Sequence, residues 1–174
     1  MLENIRHGLG LIFTMLLRLC VSPRLRARLL SAAGATIGTN VRIHSCTFIN
    51  LKRGFKNLHV GSNVHIGSDC LIDLETLVSI GSGTTLSPRV TLISHSDPGA
   101  SHGSPIVKLF PPTSLGVRIG ESCWIGAGSI LLDGSSIADK CVIGAGSVVR
   151  GNLDGCTLYA GVPVKKIRTF SPLE

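Results

Sequence analysis

Aliphatic residues recur at intervals of six along most of the chain. They fall into four groups, at Ile37, Ile43 and Ile49, at Val60, Ile66 and Ile72, at Ile80, Leu86 and Leu92, and from Ile119 to Val149. A period of six fits neither the α-helix nor the simple alternation of a strand. It predicts one short strand and one turn in each unit, with the aliphatic residue pointing inward.

A second column of small or β-branched residues follows the aliphatic one by four positions. Its members are Val64, Cys70, Thr76, Thr84, Val90, Cys123, Ser129, Ser135, Cys141 and Ser147. Three units complete one coil, and stacked coils bury a continuous core. The pattern predicts about five coils, which start near Ile37, Val60, Ile80, Ile119 and Ile137.

Composition narrows the possible partners. The chain of 174 residues has 21 glycines, only 4% aromatic residues and a net charge of +7. Such charge suits phosphates, nucleic acid or anionic lipid, but no nucleic-acid-binding motif is present and few aromatic residues could stack on bases. None of the six cysteines forms a CxxC pair, and three of them fall in the small inward column. We therefore expect buried thiols and a reducing compartment.

The segments CWIGAG (123–128), VIGAGSVV (142–149) and AGVPVKKIR (160–168) carry the most specific signal. With the repeat, they make residues 35–168 resemble the hexapeptide-repeat acyltransferases, in the branch of the maltose, galactoside and polysaccharide O-acetyltransferases. The resemblance implies an all-β, left-handed parallel β-helix with a protruding loop, acetyl-CoA as acyl donor, and a homotrimer with each active site between two subunits. The handedness comes from the resemblance alone.

Three regions are predicted along the chain. Residues 1–34 form a basic amphipathic segment with short helical structure, residues 35–168 form the β-helix, and residues 169–174 form a tail. The repeat is interrupted by a loop at 96–118, which holds four of the eight prolines. A long loop inside a compact domain is usually functional or disordered.

His95 stands at the root of that loop, where the resemblance places the catalytic histidine. An imidazole suits acetyl transfer to a hydroxyl at neutral pH, because it can take the hydroxyl proton as attack occurs. We interpret His102 as an ordinary loop residue. No cysteine adjoins a histidine in the repeat register, so a thiol nucleophile has no support.

Two carboxylates are candidate partners of His95. If Ile72 stacks on Leu92, Glu75 lies one coil from His95 and Asp73 lies beside Ile93. Either carboxylate could orient the imidazole or bind a sugar hydroxyl. We assign Glu75 to catalysis and Asp73 to substrate binding, together with Asp97.

The resemblance also supplies candidate residues for coenzyme A. Basic residues near the end of the chain would bind its phosphates. They are Lys165, Lys166, Arg168 and Arg150. Small turn residues would admit its pantetheine arm, with a tryptophan beside them. They are Gly126, Ala127, Gly144, Ala145 and Trp124.

A metal site is not expected. Related β-helices that bind zinc use histidines of neighbouring coils, and residues 119–154 contain no histidine.

The N-terminal segment allows two interpretations. Residues 8–21 are apolar but too few to span a bilayer, and residues 1–33 hold five arginines and one acidic residue. The charges do not follow the order of a secretory signal. The segment either lies on an anionic membrane surface or packs on the first coil as a cap. We expect a cytoplasmic protein, peripheral on the inner face of the cytoplasmic membrane in the first case.

The sequence thus favours an acetyl-CoA-dependent O-acetyltransferase that acts on a sugar hydroxyl in surface polysaccharide or lipopolysaccharide biosynthesis. The alternatives are N-acetylation of an amino-sugar nucleotide, acyl transfer from a carrier protein, and a non-catalytic β-helix used for assembly. The first two usually require an additional N-terminal or C-terminal domain, for which this chain has no room.

Overall fold

A computed structural model describes residues 2–171. Its main body is a left-handed parallel β-helix with three flat faces, and two helices cover its N-terminal end. The two helices are α1 (Leu2–Arg18) and α2 (Pro23–Ala32). The short strands arise because each six-residue unit alternates a few inward side chains with a turn. The predicted fold class is confirmed.

Each coil contributes one strand to each face. The first three coils are β1 (Thr36–Ile37), β2 (Arg42–Ile43), β3 (Cys46–Ile49), β4 (Leu58–Val60), β5 (His65–Ile66), β6 (Cys70–Asp73), β7 (Val78–Ile80), β8 (Thr85–Leu86) and β9 (Thr91–Leu92). The others are β10 (Val117–Ile119), β11 (Trp124–Ile125), β12 (Ile130–Leu131), β13 (Ser136–Ile137), β14 (Val142–Ile143), β15 (Val148–Val149), β16 (Asn152–Leu153), β17 (Thr157–Ala160) and β18 (Lys165–Thr169).

The strands assemble into three parallel sheets. The first face has the order β1-β4-β7-β10-β13-β16, the second β2-β5-β8-β11-β14-β17-β18, and the third β3-β6-β9-β12-β15. Only β18 runs antiparallel, paired with β17. The five predicted coils are present, and β16 and β17 add a partial sixth. The sequence hid this coil because the next inward residue after Val149 is Leu153, four positions on rather than six.

The core is the pair of columns that the repeat predicts. The aliphatic column is buried from Val60 to Val149, and Cys46, Cys70, Cys123 and Cys141 are buried free thiols. One position differs in the first coil, where Phe48 rather than Ile49 points inward. Phe48 pairs with Ile72 and is 3% exposed. The repeat unit is shorter there, since Phe48 follows Ile43 by five positions rather than six, so the inward position comes one residue early.

The N-terminal helices pack on the first two coils. In α1, the Phe13 ring lies edge-on to Phe55 at 5.6 Å, and Leu17 is buried. Ser22 caps α2 by accepting a hydrogen bond from the N–H of Leu25. The segment therefore makes the contacts of a cap. No helix within residues 2–171 is long and apolar enough to cross a membrane.

Arg26 ties the helices to the β-helix. Its guanidinium is buried and donates to the carbonyl oxygens of Leu17 at 3.1 Å, Ile43 at 2.8 Å and Cys20. A buried charge is tolerated where such hydrogen bonds replace water. This residue therefore fixes the corner between α1 and α2 on the first coil.

The long loop leaves the β-helix after β9 and returns at Val117. Two short 3-10 turns, Ala100–His102 and Pro105–Lys108, shape its outward limb. Ser96 and Thr113 pair in an antiparallel bridge at its base. The loop is thus closed close to its root, next to His95. The predicted tail, 169–174, begins inside β18, and residues 172–174 lie outside the described residues.

Candidate functional site

His95 and Asp73 meet at the corner where the loop leaves the third face. The imidazole Nδ1 lies 2.6 Å from the carboxylate Oδ2 of Asp73. The imidazole is one quarter exposed, whereas the carboxylate is fully buried. A carboxylate on Nδ1 holds the proton on that nitrogen and leaves Nε2 as the free base.

Asp73 is held by more than the histidine. Its Oδ1 accepts from Asn50 Nδ2 at 2.8 Å and from the N–H of Glu75 at 3.1 Å. Its Oδ2 also accepts from the N–H and the hydroxyl of Ser94, at 2.9 and 3.0 Å. Each oxygen of the buried carboxylate therefore has at least two donors, as a buried charge requires.

These donors keep the carboxylate ionised. Burial by itself raises the pKa of Asp73, but the hydrogen bonds from Asn50, His95 and the N–H groups of Glu75 and Ser94 outweigh it. The pKa of Asp73 therefore lies below its ordinary value. An ionised Asp73 is the state that orients the neutral imidazole and stabilises its protonated form.

The structure places Asp73, rather than Glu75, against the imidazole of His95. Glu75 does not contact the imidazole; its Oε1 forms an ion pair with Lys52 Nζ at 3.3 Å. The expected stacking of Ile72 on Leu92 is present. Counting further along the chain fails because β6 ends at Asp73 and β9 ends at Leu92, so the strand register does not continue into the corner.

Asp97 serves the loop itself. Its Oδ1 accepts hydrogen bonds from the N–H groups of Gly99 at 2.8 Å and Ala100 at 2.7 Å. These two bonds lower the pKa of its carboxyl group. His102 is exposed, and its ring lies over Gly99. The contacts of both residues lie within the loop, and a substrate contact of Asp97 is a proposal.

Three residues of this corner were not predicted from the sequence. Asn50 and Ser94 hold Asp73, as described above. Asp133, one coil further on, accepts from the Thr113 hydroxyl at 2.5 Å and from the N–H groups of Leu115 at 2.7 Å and Gly116 at 3.0 Å. All occur just after a strand of the third face, and this shared position was the signal available in the sequence.

The candidate coenzyme residues lie on the edge between the second and third faces. Gly126 is packed so closely that a Cβ would lie 2.5 Å from the N atom of Ala145, and one on Gly144 would lie 2.8 Å from the Cβ of Ala160. These glycines are therefore required for coil stacking. Ala127 and Ala145 are half-buried and exposed, which leaves a shallow edge of small residues.

Trp124 stands beside that edge on the second face. Its indole ring is 55% exposed, and Nε1 donates to the hydroxyl of Ser87 at 3.0 Å. The strand pairing places it between Thr85 and Val142. The hydrogen bond fixes an aromatic surface that a ligand can contact.

The basic residues form an open patch at the far end of the β-helix. Lys165, Lys166 and Arg168 are exposed on β18, and Arg150 is exposed at the end of the fifth coil. Within residues 2–171 none of the four forms an ion pair. On the second face, the third coil, which carries His95, is three strand spacings from β17 and four from β18, or about 14 and 19 Å.

A metal centre has no support in the described part of the chain. No group of three or more His, Cys, Asp or Glu side chains in residues 2–171 lies close enough together to hold an ion. The His44 and His65 rings do meet edge-on, with centroids 5.0 Å apart. They lie on the second face, away from His95.

Comparison with known proteins agrees with this fold. The family described as bacterial transferase hexapeptide (six repeats) matches residues 116–151. The maltose O-acetyltransferase of Clostridium difficile 630 superposes with a TM-score of 0.83 at 25% identity, over 98% of this chain and 89% of that one. Over residues 116–151 and in its fold, the chain is similar to the hexapeptide-repeat acyltransferases.

Two other members of the hexapeptide-repeat acyltransferases are informative. A galactoside acetyltransferase, solved in complex with coenzyme A, has a TM-score of 0.72 at 26% identity, over 96% of this chain and 82% of that one. The putative lipopolysaccharide biosynthesis O-acetyltransferase WbbJ of Escherichia coli K12 is 34% identical over 100 residues. That match covers 54% of this chain and 51% of WbbJ, so it spans about half the length of the relative.

Proposed function

We propose that the protein is an acetyl-CoA-dependent O-acetyltransferase that acts on a sugar hydroxyl in surface polysaccharide or lipopolysaccharide biosynthesis. The observation that carries the proposal is the imidazole of His95, which Asp73 holds at the root of the loop. The maltose, galactoside and lipopolysaccharide relatives support it, because their names describe acetyltransferases of carbohydrates.

His95 is the general base of the proposed reaction. Asp73 keeps the proton on Nδ1, so Nε2 can take the proton of the acceptor hydroxyl as its oxygen attacks the thioester carbonyl. The resulting imidazolium is stabilised by the buried carboxylate, and Nε2 then returns the proton to the departing thiolate. Asp73 acts through the imidazole and is a positioning residue.

The basic patch would hold the acyl donor. Lys165, Lys166 and Arg168 are exposed and unpaired, as cations that bind phosphates must be before the ligand arrives. The edge of small residues at Ala127 and Ala145 runs along the β-helix between the second and third faces and would admit the pantetheine arm. One donor molecule bound by these cations and this edge would then carry its thioester to a His95 imidazole.

The assembly and location remain parts of the proposal. The outer side of the third face carries Leu71 on β6 and, beyond Thr91 of β9, Ile130 and Val148 on the adjacent strands β12 and β15, which favours burial against a second copy in a homotrimer. The basic N-terminal end favours a peripheral position on an anionic membrane. Sedimentation velocity of the purified protein tests the trimer directly.

Consumption of acetyl-CoA against a panel of acceptors tests the activity. The panel should contain free sugars, lipid-linked glycans and amino-sugar nucleotides, with released thiol as the readout. We expect turnover with a hydroxyl acceptor, and a loss of about 10²–10⁴ in His95→Asn. His102→Asn is the matched control, because it removes the other loop histidine and should leave turnover within threefold.

The other outcomes identify the alternatives. Turnover only with an amino-sugar nucleotide would make the protein an N-acetyltransferase. No turnover with any acceptor, together with no binding of coenzyme A by calorimetry, would favour a non-catalytic assembly protein. Equal losses of turnover in His95→Asn and His102→Asn would contradict the assignment of His95 as the general base.

A further inference from the structure

Helix α1 has two apolar sides, and only one packs on the β-helix. Phe13 and Leu17 face inward, and Gly10 lies against Leu51. On the other side four large apolar residues are between 57% and 77% exposed. These residues, which we call the outer stripe, are Ile12, Met15, Leu16 and Leu19.

The spacing of the outer stripe is that of one helix surface. Positions i, i+3, i+4 and i+7 lie one above another along a helix. Leu19 follows the last residue of α1, but its N–H still donates to the carbonyl of Leu16 at 3.1 Å, so the helical turn continues. Single exposed apolar residues are ordinary, whereas a contiguous row indicates an interaction surface.

The same end of the molecule carries the whole excess of positive charge. Residues 1–68 contain nine basic residues and one acidic residue, whereas residues 69–174 contain eight basic and nine acidic residues. The net charge is therefore +8 in the first part and −1 in the second. Arg24 and Arg28 are exposed on α2, next to the helix that carries the outer stripe.

We propose that the outer stripe and the α2 arginines dock the protein on an anionic lipid bilayer. This inference rests on the peripheral location proposed above and assigns it to particular residues. An amphipathic helix flanked by arginines binds in the headgroup region, because its apolar side enters the acyl boundary while the cations meet lipid phosphates. Val21, 93% exposed between the two helices, would extend the inserted surface.

The charge distribution argues against a second copy as the occupant. Self-association through the outer stripe would bring two ends of charge +8 together without acidic partners, and like charges at an interface are unfavourable. An anionic bilayer supplies the missing negative charge. The third coil, which carries His95, lies two strand spacings, about 10 Å, from the first coil. Docking at this end would therefore hold the site close to a lipid-linked acceptor.

Sedimentation of the full-length protein with vesicles tests the docking surface. We expect binding to vesicles of phosphatidylglycerol and phosphatidylcholine, weak binding to phosphatidylcholine alone, and release by salt. Ile12→Ser should lower the partition coefficient about tenfold through lost apolar burial. Ile167→Ser is a matched control, since Ile167 is also 57% exposed but lies on β18 at the other end.

The charge contribution has its own matched pair. Replacing Arg24 and Arg28 by Gln should weaken binding to anionic vesicles about fivefold for each residue. Replacing the exposed Arg118 and Lys140 by Gln changes the net charge equally on the other part of the molecule and should have little effect. Leu19→Trp should add fluorescence that brominated lipids quench, above the signal of Trp124.

Three outcomes would overturn the docking surface. The first is that the full-length protein does not bind anionic vesicles, and the second is that Ile12→Ser and Ile167→Ser lose vesicle binding equally. The third is an oligomer that dissociates in Ile12→Ser, which would show that another copy covers the outer stripe. Each is distinct from failure of the proposed reaction. If the enzyme is active but does not bind vesicles, only the docking surface is wrong. If the chain binds vesicles but does not consume acetyl-CoA, only the proposed reaction is wrong.

Discussion

Asp73 and His95 are 22 residues apart in the chain, yet Oδ2 of one and Nδ1 of the other are 2.6 Å apart. The contact exists because β6 and β9 are neighbours on the third face and both chains turn at the same corner. Asp73 turns inward and is buried, and His95 turns to the surface at the loop root. The β-helix thus presents one nitrogen of the imidazole to solvent and fixes the other.

Replacing Asp73 by Asn should lower turnover by about 10²–10⁴ while the Michaelis constant for acetyl-CoA changes little. The amide cannot enforce the tautomer with a proton on Nδ1, and it leaves the imidazolium without a counter-charge. Glu75→Gln is the matched control and should change turnover less than threefold, because Glu75 pairs with Lys52 instead. Steady-state kinetics of both variants checks the assignment; a larger loss in Glu75→Gln would restore that residue as the orienting group.

The outcome shows where the repeat is informative. A period of six determines which residues face inward, and it predicted the burial of the aliphatic column from Val60 to Val149. It also predicted the burial of Cys70, Cys123 and Cys141. These predictions succeed because stacked coils leave each inward position only one kind of environment.

The corners were less predictable, because side chains there follow no period. Asn50, Ser94 and Asp133 are ordinary polar residues in the sequence, and their roles depend on which way each corner turns. The contact between Asp73 and His95 was missed for the same reason. The N-terminal cap depended on Arg26, whose buried hydrogen bonds to three carbonyl groups have no signature in the sequence.

The buried carboxylate should also control stability in acid. Its pKa is lower in the folded protein than in the unfolded chain, so the folded state binds the proton more weakly. The stabilisation is fully present above the unfolded pKa, about 4, and is lost as pH falls through the folded value. We therefore expect the difference in free energy of unfolding between the parent and Asp73→Asn to shrink from pH 7 to pH 3 in urea titrations.

Asn50→Ala provides the companion measurement. It removes the hydrogen bond that lowers the pKa of Asp73 most strongly. The loss of stability as pH falls should therefore begin at a higher pH than in the parent. If the difference between the parent and Asp73→Asn stays constant down to pH 3, folding does not lower the pKa of Asp73.

The basic patch should act on donor binding alone. Replacing Lys165 and Lys166 by Ala is expected to raise the Michaelis constant for acetyl-CoA with little change in turnover at saturation. That result indicates the loss of contacts that are made equally in the ground state and in the transition state. The effect should weaken with added salt. Lys140→Ala, also exposed but outside the patch, serves as the control. Equal effects on acetyl-CoA and on an analogue without the 3′-phosphate would place these lysines away from that phosphate.

Asp133 anchors the loop without touching His95, and its removal should separate loop order from base chemistry. Asp133→Ala leaves the N–H of Leu115 and the hydroxyl of Thr113 without their acceptor, whereas the N–H of Gly116 keeps the carbonyl oxygen of Ser94. We expect faster hydrogen exchange in residues 104–116 and a turnover loss of about 10- to 100-fold, because small displacements of a site are costly.

Asp139→Ala is the control for this loop prediction. Asp139 also accepts a backbone hydrogen bond between coils, from Glu121 at 2.8 Å, but it lies far from the loop in the chain. Its loss should leave exchange in residues 104–116 unchanged and turnover within threefold. If Asp133→Ala speeds exchange in the loop while turnover stays at the parental level, the order of residues 104–116 does not matter for catalysis. The loop would then serve another purpose, such as contact with a neighbouring subunit.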